Sequence, residues 1–186
     1  MGDAMVEFLA GLLTLMVFPR ARRLKWRRRL VSFWYGIPVR RRAKSVGVGL
    51  RCHSPVTVSR HTVIGNHASF NGATVRGTGD VTFGNWDHLG EGLKIFTRNH
   101  NYEGEAIPYD DTFVRKPVTV GDCVWIGAHV ILLPGTNIGE GAIIQAGSVV
   151  HGTIPPYAIA GGNPAKVFAR RDVEHFKRLK AEGKFR

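Results

Sequence analysis

His100 stands in the stretch IFTRNHNYEGEAIPYDDTFVRKPVTVGDCVWIG, residues 95–127. Imidazole titrates near neutrality, so His100 is a candidate general base that could take a proton from a weakly acidic hydroxyl. Glu103, Glu105, Asp110 and Asp111 follow in the same segment. Any of them could orient the ring, and the spacing does not choose among them. The other histidines suggest no metal site. His61 and His67 lie one repeat apart on successive faces, while His88, His100 and His129 are scattered without an H-x4-H pair. Cys52 and Cys123 form no CxxC. They read as two inert thiols in a reducing compartment, and Cys123 has no evident base to activate it as a nucleophile.

The elements that must hold His100 follow from a rhythm of six. Val120, Ile126, Leu132, Ile138, Ile144 and Val150 fall six apart, and Val118, Val124, Val130, Thr136, Ala142 and Ser148 stand two places before them. Earlier beats are Val58, Ile64 and Phe70, then Phe83, Leu89 and Ile95, with NGATVRGTGD slipping the register between the two runs. Six is neither a helical period nor a long alternating strand. It suits a short strand, a corner, and a repeat, with three units closing a coil and the coils stacking in parallel about 4.8 Å apart. The expected fold class is all-β, a parallel β-helix over residues 45–168. The beat fails over residues 97–117, so that segment is expected to leave the prism as a loop carrying His100. Residues 171–182 have helical spacing and are expected to close one end, within a C-terminal segment 169–186, while N-terminal helices cover the other.

The chain has 186 residues and a net charge of +12, but twelve of its 26 Lys and Arg lie between Arg20 and Arg51. Only Asp3 and Glu7 oppose them before residue 52, so the body is near neutral. That argues against nucleic acid as a partner. Residues 1–44 form a distinct segment. Its apolar run, Met5 to Phe18, is too short for a spanning helix and wrongly flanked for a signal peptide. Beyond it, Trp26, Leu30, Phe33 and Ile37 recur at helical spacing among arginines, with Trp34 and Tyr35 alongside. Together these predict that residues 5–42 lie in the plane of an anionic membrane surface, on its cytoplasmic face. The alternative is a helix packed on its own body or on a sister subunit.

VWIGAHVILLPGTNIGEGAIIQAGSVVHGTIPPYAIAGGNPAKVFARR, from Val124 onward, resembles the hexapeptide-repeat O-acetyltransferases, the relatives of maltose and galactoside acetyltransferase. The similarity covers about residues 56–171. It implies a left-handed β-helix, a homotrimer, and acetyl-CoA as co-substrate in a groove between subunits. His100 matches the family's loop histidine and is implied as general base for direct transfer to a hydroxyl. A backbone N–H near Gly127 and Ala128 is implied as the thioester contact, Trp125 as the aromatic near the acyl group, and Ala146, Gly147 and Ser148 as the pantetheine track. Many relatives carry Thr-Lys after SVV where His151-Gly152 stand here, which leaves Lys166 and Arg170 for the CoA phosphates. Asn71 lies near a family acceptor-site asparagine. A membrane anchor would suit a lipid-linked sugar or a surface polysaccharide under synthesis. Two other readings compete: a membrane-attached trimeric scaffold without catalysis, and a γ-carbonic-anhydrase-like metalloenzyme.

Overall fold

The structure, a computed structural model, describes residues 20–186, with side chains from Trp26 onward. The apolar run of residues 5–18 lies outside the described residues. The period of six produces a three-faced prism of six coils. Face one stacks six parallel strands: Ser45–Val46, Thr62–Ile64, Val81–Phe83, Val118–Val120, Asn137–Ile138 and Thr153–Ile154. Face two stacks Arg51–Cys52, Ser69–Phe70, His88–Leu89, Trp125–Ile126, Ile143–Ile144 and Ala158–Gly162, and face three stacks five strands from Val56–Thr57 to Val149–Val150. All twelve beat residues are buried, and so are the six residues two places before the later beats. Each large aliphatic side chain removed from water there contributes about 1.5–3 kcal/mol. The two hydroxyls among the inner residues are satisfied by backbone: Ser148 Oγ donates to the Gln145 carbonyl at 2.6 Å and Thr136 Oγ1 to that of Leu133 at 2.7 Å. At the slipped register, Ala73–Arg76 and Leu93–Phe96 are four-residue strands paired to each other.

The corner from face one to face two repeats a backbone device. One residue per coil has positive φ: Gly49, His67, Trp86, Cys123, Gly141 and Tyr157. Sequence reasoning assigns such positions to Gly, Asn or Asp, since left-handed geometry costs other residues roughly 1–2 kcal/mol. Here external stacking offsets it. His67 lies on Trp86 with ring centroids 4.0 Å apart, and Trp86 lies on Phe185 at 4.5 Å. Side chains bridge the coils at the same corner. Asn66 Oδ1 accepts from the Val48 amide, Asn85 Oδ1 from Asn66, and Asp122 Oδ1 from Asn85.

Helix α1, Arg20–Arg42, lies over the first coil. Ser32 Oγ accepts from the Cys52 amide at 2.9 Å, and Gly36 and Val39 are buried. The face that packs is therefore the small-residue one, Ser32-Gly36-Val39, and the stripe Trp26, Leu30, Phe33, Ile37 flanks it, with Phe33 47% exposed. The contact is loose at its centre, where a Cβ on Gly36 would meet nothing within 4 Å.

Helix α2, Val173–Ala181, does not close the far end of the prism. It runs along the first corner toward the N-terminal coils. Asp172 caps it by accepting from the His175 amide, Phe176 packs over Gly141 and against Tyr157, and Lys180 pairs with Glu140. At the far end, Ala165–Arg170 folds back antiparallel on Ala158–Gly162 and extends face two.

Corner glycines let the coils touch. A Cβ on Gly65 would lie 2.4 Å from the Gly84 oxygen. Gly65→Ala is expected to cost about 1–3 kcal/mol, read as a Tm several degrees lower. Gly36→Ala in α1, where a Cβ meets nothing within 4 Å, is expected to leave Tm unchanged or raise it.

Candidate functional site

The chain leaves the prism at the corner from face three to face one, and a buried threonine clamps the exit. Thr97 is fully buried; its Oγ1 accepts from the Gly79 amide and donates to the Arg76 carbonyl, and its own carbonyl accepts from Lys116 as the chain returns. Between these points Arg98–His100 and Phe113–Arg115 pair antiparallel, with His100 opposite Phe113. The imidazole is exposed, stacked on Tyr109 at 3.9 Å and tilted against Phe113 at 4.7 Å by centroid. Among the described residues neither ring nitrogen has a hydrogen-bond partner. The ring plane is fixed by stacking, and its polar edge remains available to a ligand.

The loop carboxylates separate by role. Asp110 accepts from the Thr112 hydroxyl and amide and from the Glu105 amide, so it ties the loop to itself rather than to His100. Those bonds, the Thr112 hydroxyl first, hold its pKa below the usual carboxylate value. No hydrogen bond joins Glu103, Glu105 or Asp111 to His100 among the described residues.

A second set of residues lies on a different edge, the corner from face two to face three. Asn71, Gly90, Gly127 and Gln145 occupy equivalent places on successive levels, each amide donating to a carbonyl one coil on. Gly127 is held to glycine because a Cβ would sit 2.5 Å from the Ala146 nitrogen. Among the described residues the amides of Ala128 and Ala146 donate to no partner, and Ala146 and Gly147 are exposed. Ser148 is buried and structural: its Oγ also accepts from Gly162. His151 lies at the corner from face three to face one, exposed, and Lys166 and Arg170 are exposed on the final strand. Trp125, 54% exposed, points outward from face two. Asn71 Nδ2 donates to the Leu89 carbonyl at 3.3 Å. Among the described residues of one chain, no hydrogen bond or ring contact joins His100 to the Asn71–Gly127–Ala146 edge.

Cys123 is held as a thiol, pushed up to about 11 chiefly by burial, which removes it as a nucleophile near neutral pH. Among the described residues no group of three or more His, Cys, Asp or Glu is placed to hold a metal. Sequence reasoning missed Asp87, a lone acid between Trp86 and His88. It is buried; Oδ1 accepts from the Val124 amide at 3.0 Å and Oδ2 has no partner. Burial pushes its pKa up to about 8.

Residues 117–152 match the family described as bacterial transferase hexapeptide (six repeats). A protein of Staphylococcus aureus strain Mu50, provisionally named an acetyltransferase, is 42% identical over 80 residues, which are 43% of this chain and 35% of the relative. The chain thus spans about a third of the length of the first curated relatives it matches. A galactoside acetyltransferase solved in complex with coenzyme A is 26% identical, with a TM-score of 0.60 over 94% of this chain and 83% of that one. A maltose O-acetyltransferase from Clostridium difficile 630 is 30% identical, with a TM-score of 0.55 over 69% of this chain and 66% of that one.

Because the folded Asp87 carboxyl titrates near 8 and an unfolded one near 3.9, the fold favours the protonated form. Its contribution is fully present below about pH 4 and is lost as pH rises toward 8. Asp87→Asn is expected to flatten this part of the decline in Tm between pH 4 and 8 and to be the more stable protein at pH 8.

Proposed function

Starting from a chain that carries the hexapeptide-family repeats, we propose that it is an acetyl-CoA-dependent O-acetyltransferase acting on a sugar hydroxyl. The observation that carries this reading is the interruption of a regular prism at one corner, which sets His100 outside it on a clamped hairpin with its nitrogens unpartnered. A spacer or scaffold has no use for that interruption. His100 takes the proton of the acceptor hydroxyl as its oxygen attacks the thioester carbonyl. The open amides of Ala128 and Ala146 are candidates to receive the developing oxyanion. Collapse expels the CoA sulfur, which recovers the proton from the imidazolium, and no acyl-enzyme forms.

His100 leaves from one edge of face three, and the Asn71–Gly127–Ala146 column marks its other edge. A homotrimer that sets these edges side by side brings the base of one copy to the groove of the next. In that groove Trp125 flanks the acetyl group, Ala146 and Gly147 line the pantetheine above the buried Ser148, and His151, Lys166 and Arg170 stand toward the CoA phosphates. The acceptor is a lipid-linked or surface-polysaccharide sugar. This is supported by α1, where Phe33, Trp34 and Tyr35 are exposed beside arginines in a helix suited to an anionic cytoplasmic leaflet. Among the described residues no helix is long and apolar enough to cross a membrane.

Release of free CoA thiol from acetyl-CoA with a panel of sugars tests the reaction. His100→Ala is expected to lose about 10²–10⁴-fold in kcat with CoA binding intact; unchanged turnover would refute the role. Cosedimentation tests the surface. The protein is expected to bind phosphatidylglycerol vesicles and release them at high salt, and equal binding to neutral vesicles would count against an electrostatic anchor.

A further inference from the structure

A concentration of positive charge lies away from His100. A groove of about 750 Å³ opens on face two beneath α1. Its walls carry Arg27 and Arg28 from α1, Arg51 and His53 from the first coil, His88 from the third, and Arg186 from beyond α2. Among the described residues no Asp or Glu lines it. Among the described residues, none of these four guanidiniums takes part in a salt bridge. The polar contact within the set is the Arg51 Nη2 bond to the main-chain oxygen of Arg186, at 3.0 Å. Arginines from three parts of the chain therefore converge on one space against mutual repulsion, unlike a run of solvated charges on one helix face. The histidines register the same field. Both have their pKa lowered, by burial first, then at His53 by Arg51 and Arg28 and at His88 by Arg186 and Arg51.

The groove is aligned with the proposed transfer site. Ser69 and Asn71 lie on its wall. The strand register stacks Arg51, Ser69, His88 and Trp125 as successive outward positions of face two. With coils about 4.8 Å apart, Arg51 lies roughly 14 Å along the prism from Trp125. A second groove of about 450 Å³, lined by Trp125 and Trp86, adjoins the first and shares His88 and Arg186 with it. A ligand with its anionic group among the guanidiniums would run from them along the column, past Ser69 toward His88. A sugar joined to a phosphate or diphosphate has that charge, and its ring would lie beside Asn71 and His88, short of Trp125. Planar guanidiniums take phosphate oxygens in pairs.

We infer that the acceptor is a phosphorylated sugar, and that the groove of Arg27, Arg28, Arg51 and Arg186 binds its phosphate or diphosphate. This rests on the acetyltransferase reading for the word acceptor, but the phosphate site itself does not. Lys166 and Arg170, the residues proposed for CoA phosphates, lie on the strand at the opposite end of face two.

The test uses the full chain with inorganic pyrophosphate and glucose 1-phosphate as probes, read by calorimetry. Arg51→Gln and Arg28→Gln are expected to weaken both by about tenfold or more and to leave CoA binding unchanged, while Lys166→Gln does the reverse. Circular dichroism and Tm confirm that each variant is folded. In the thiol-release assay, glucose 1-phosphate is expected to have a KM about tenfold or more below that of glucose, an advantage that Arg51→Gln removes. If pyrophosphate does not bind, or binds equally to folded Arg51→Gln, the site is overturned. If Lys166→Gln alone weakens it, the phosphate belongs to CoA and the inference fails. If Arg51→Gln abolishes binding to phosphatidylglycerol vesicles but not to glucose 1-phosphate, the groove holds a lipid headgroup, and the acceptor assignment is overturned. Arg51-dependent pyrophosphate binding with no thiol release on any sugar sinks the transferase reading and leaves the phosphate site standing.

Discussion

At its corners each coil of this protein rests backbone on backbone against the next. Gly65 faces Gly84, Gly127 faces Ala146, and Gly139 faces Pro156, each with no room for a Cβ. That contact fixes the coil spacing, and the spacing fixes everything carried on the surface. Because the stack is parallel and in register, an outward side chain on one level lies directly over its counterpart on the next. Edges and faces therefore become straight columns of side chains. The columns at Asn71–Gly127–Ala146 and at Arg51–Ser69–His88–Trp125 are consequences of that geometry.

A rigid prism has a cost for catalysis: its side chains point inward to the core or flat outward. A base that must approach a second molecule needs another mount. The hairpin at residues 98–117 supplies it, and Thr97 joins the hairpin to the stack without loosening either. Stacking against Tyr109 and Phe113 then fixes the imidazole plane without a carboxylate partner. Asp110 is the acidic residue with a resolved role here, and that role is to shape the loop.

The core was legible in the sequence because the period of six is a local property. Val120 to Val150 could be assigned inward by counting, and the lost beat after Ile95 marked where the chain departs. Features that depend on distant contacts were not legible. His67, Trp86 and Tyr157 take left-handed geometry against their preference, because rings from neighbouring coils and from Phe185 and Phe176 compensate. The packing face of α1, marked by the Ser32 bond to the Cys52 amide, does not follow its hydrophobic spacing. Helix α2 lies along a corner because Gly141 leaves a hollow for Phe176. Arg51 and Arg186 are 135 positions apart and meet only in the fold. The three-beat spacing of Arg51 and Ser69 was the one available hint of that column.

The central claim is that the base and the groove belong to different copies of the chain. Mixing two inactive variants tests it most directly: His100→Ala, which lacks the base, and Ala146→Trp, which fills the exposed groove. Each is inactive alone. Dissociated and reassembled in equal amounts, they are predicted to regain about a quarter of wild-type thiol release, since one in four interfaces pairs an intact base with an intact groove. No recovery in mixed assemblies shown to form would place both halves of the site in one chain and contradict the account.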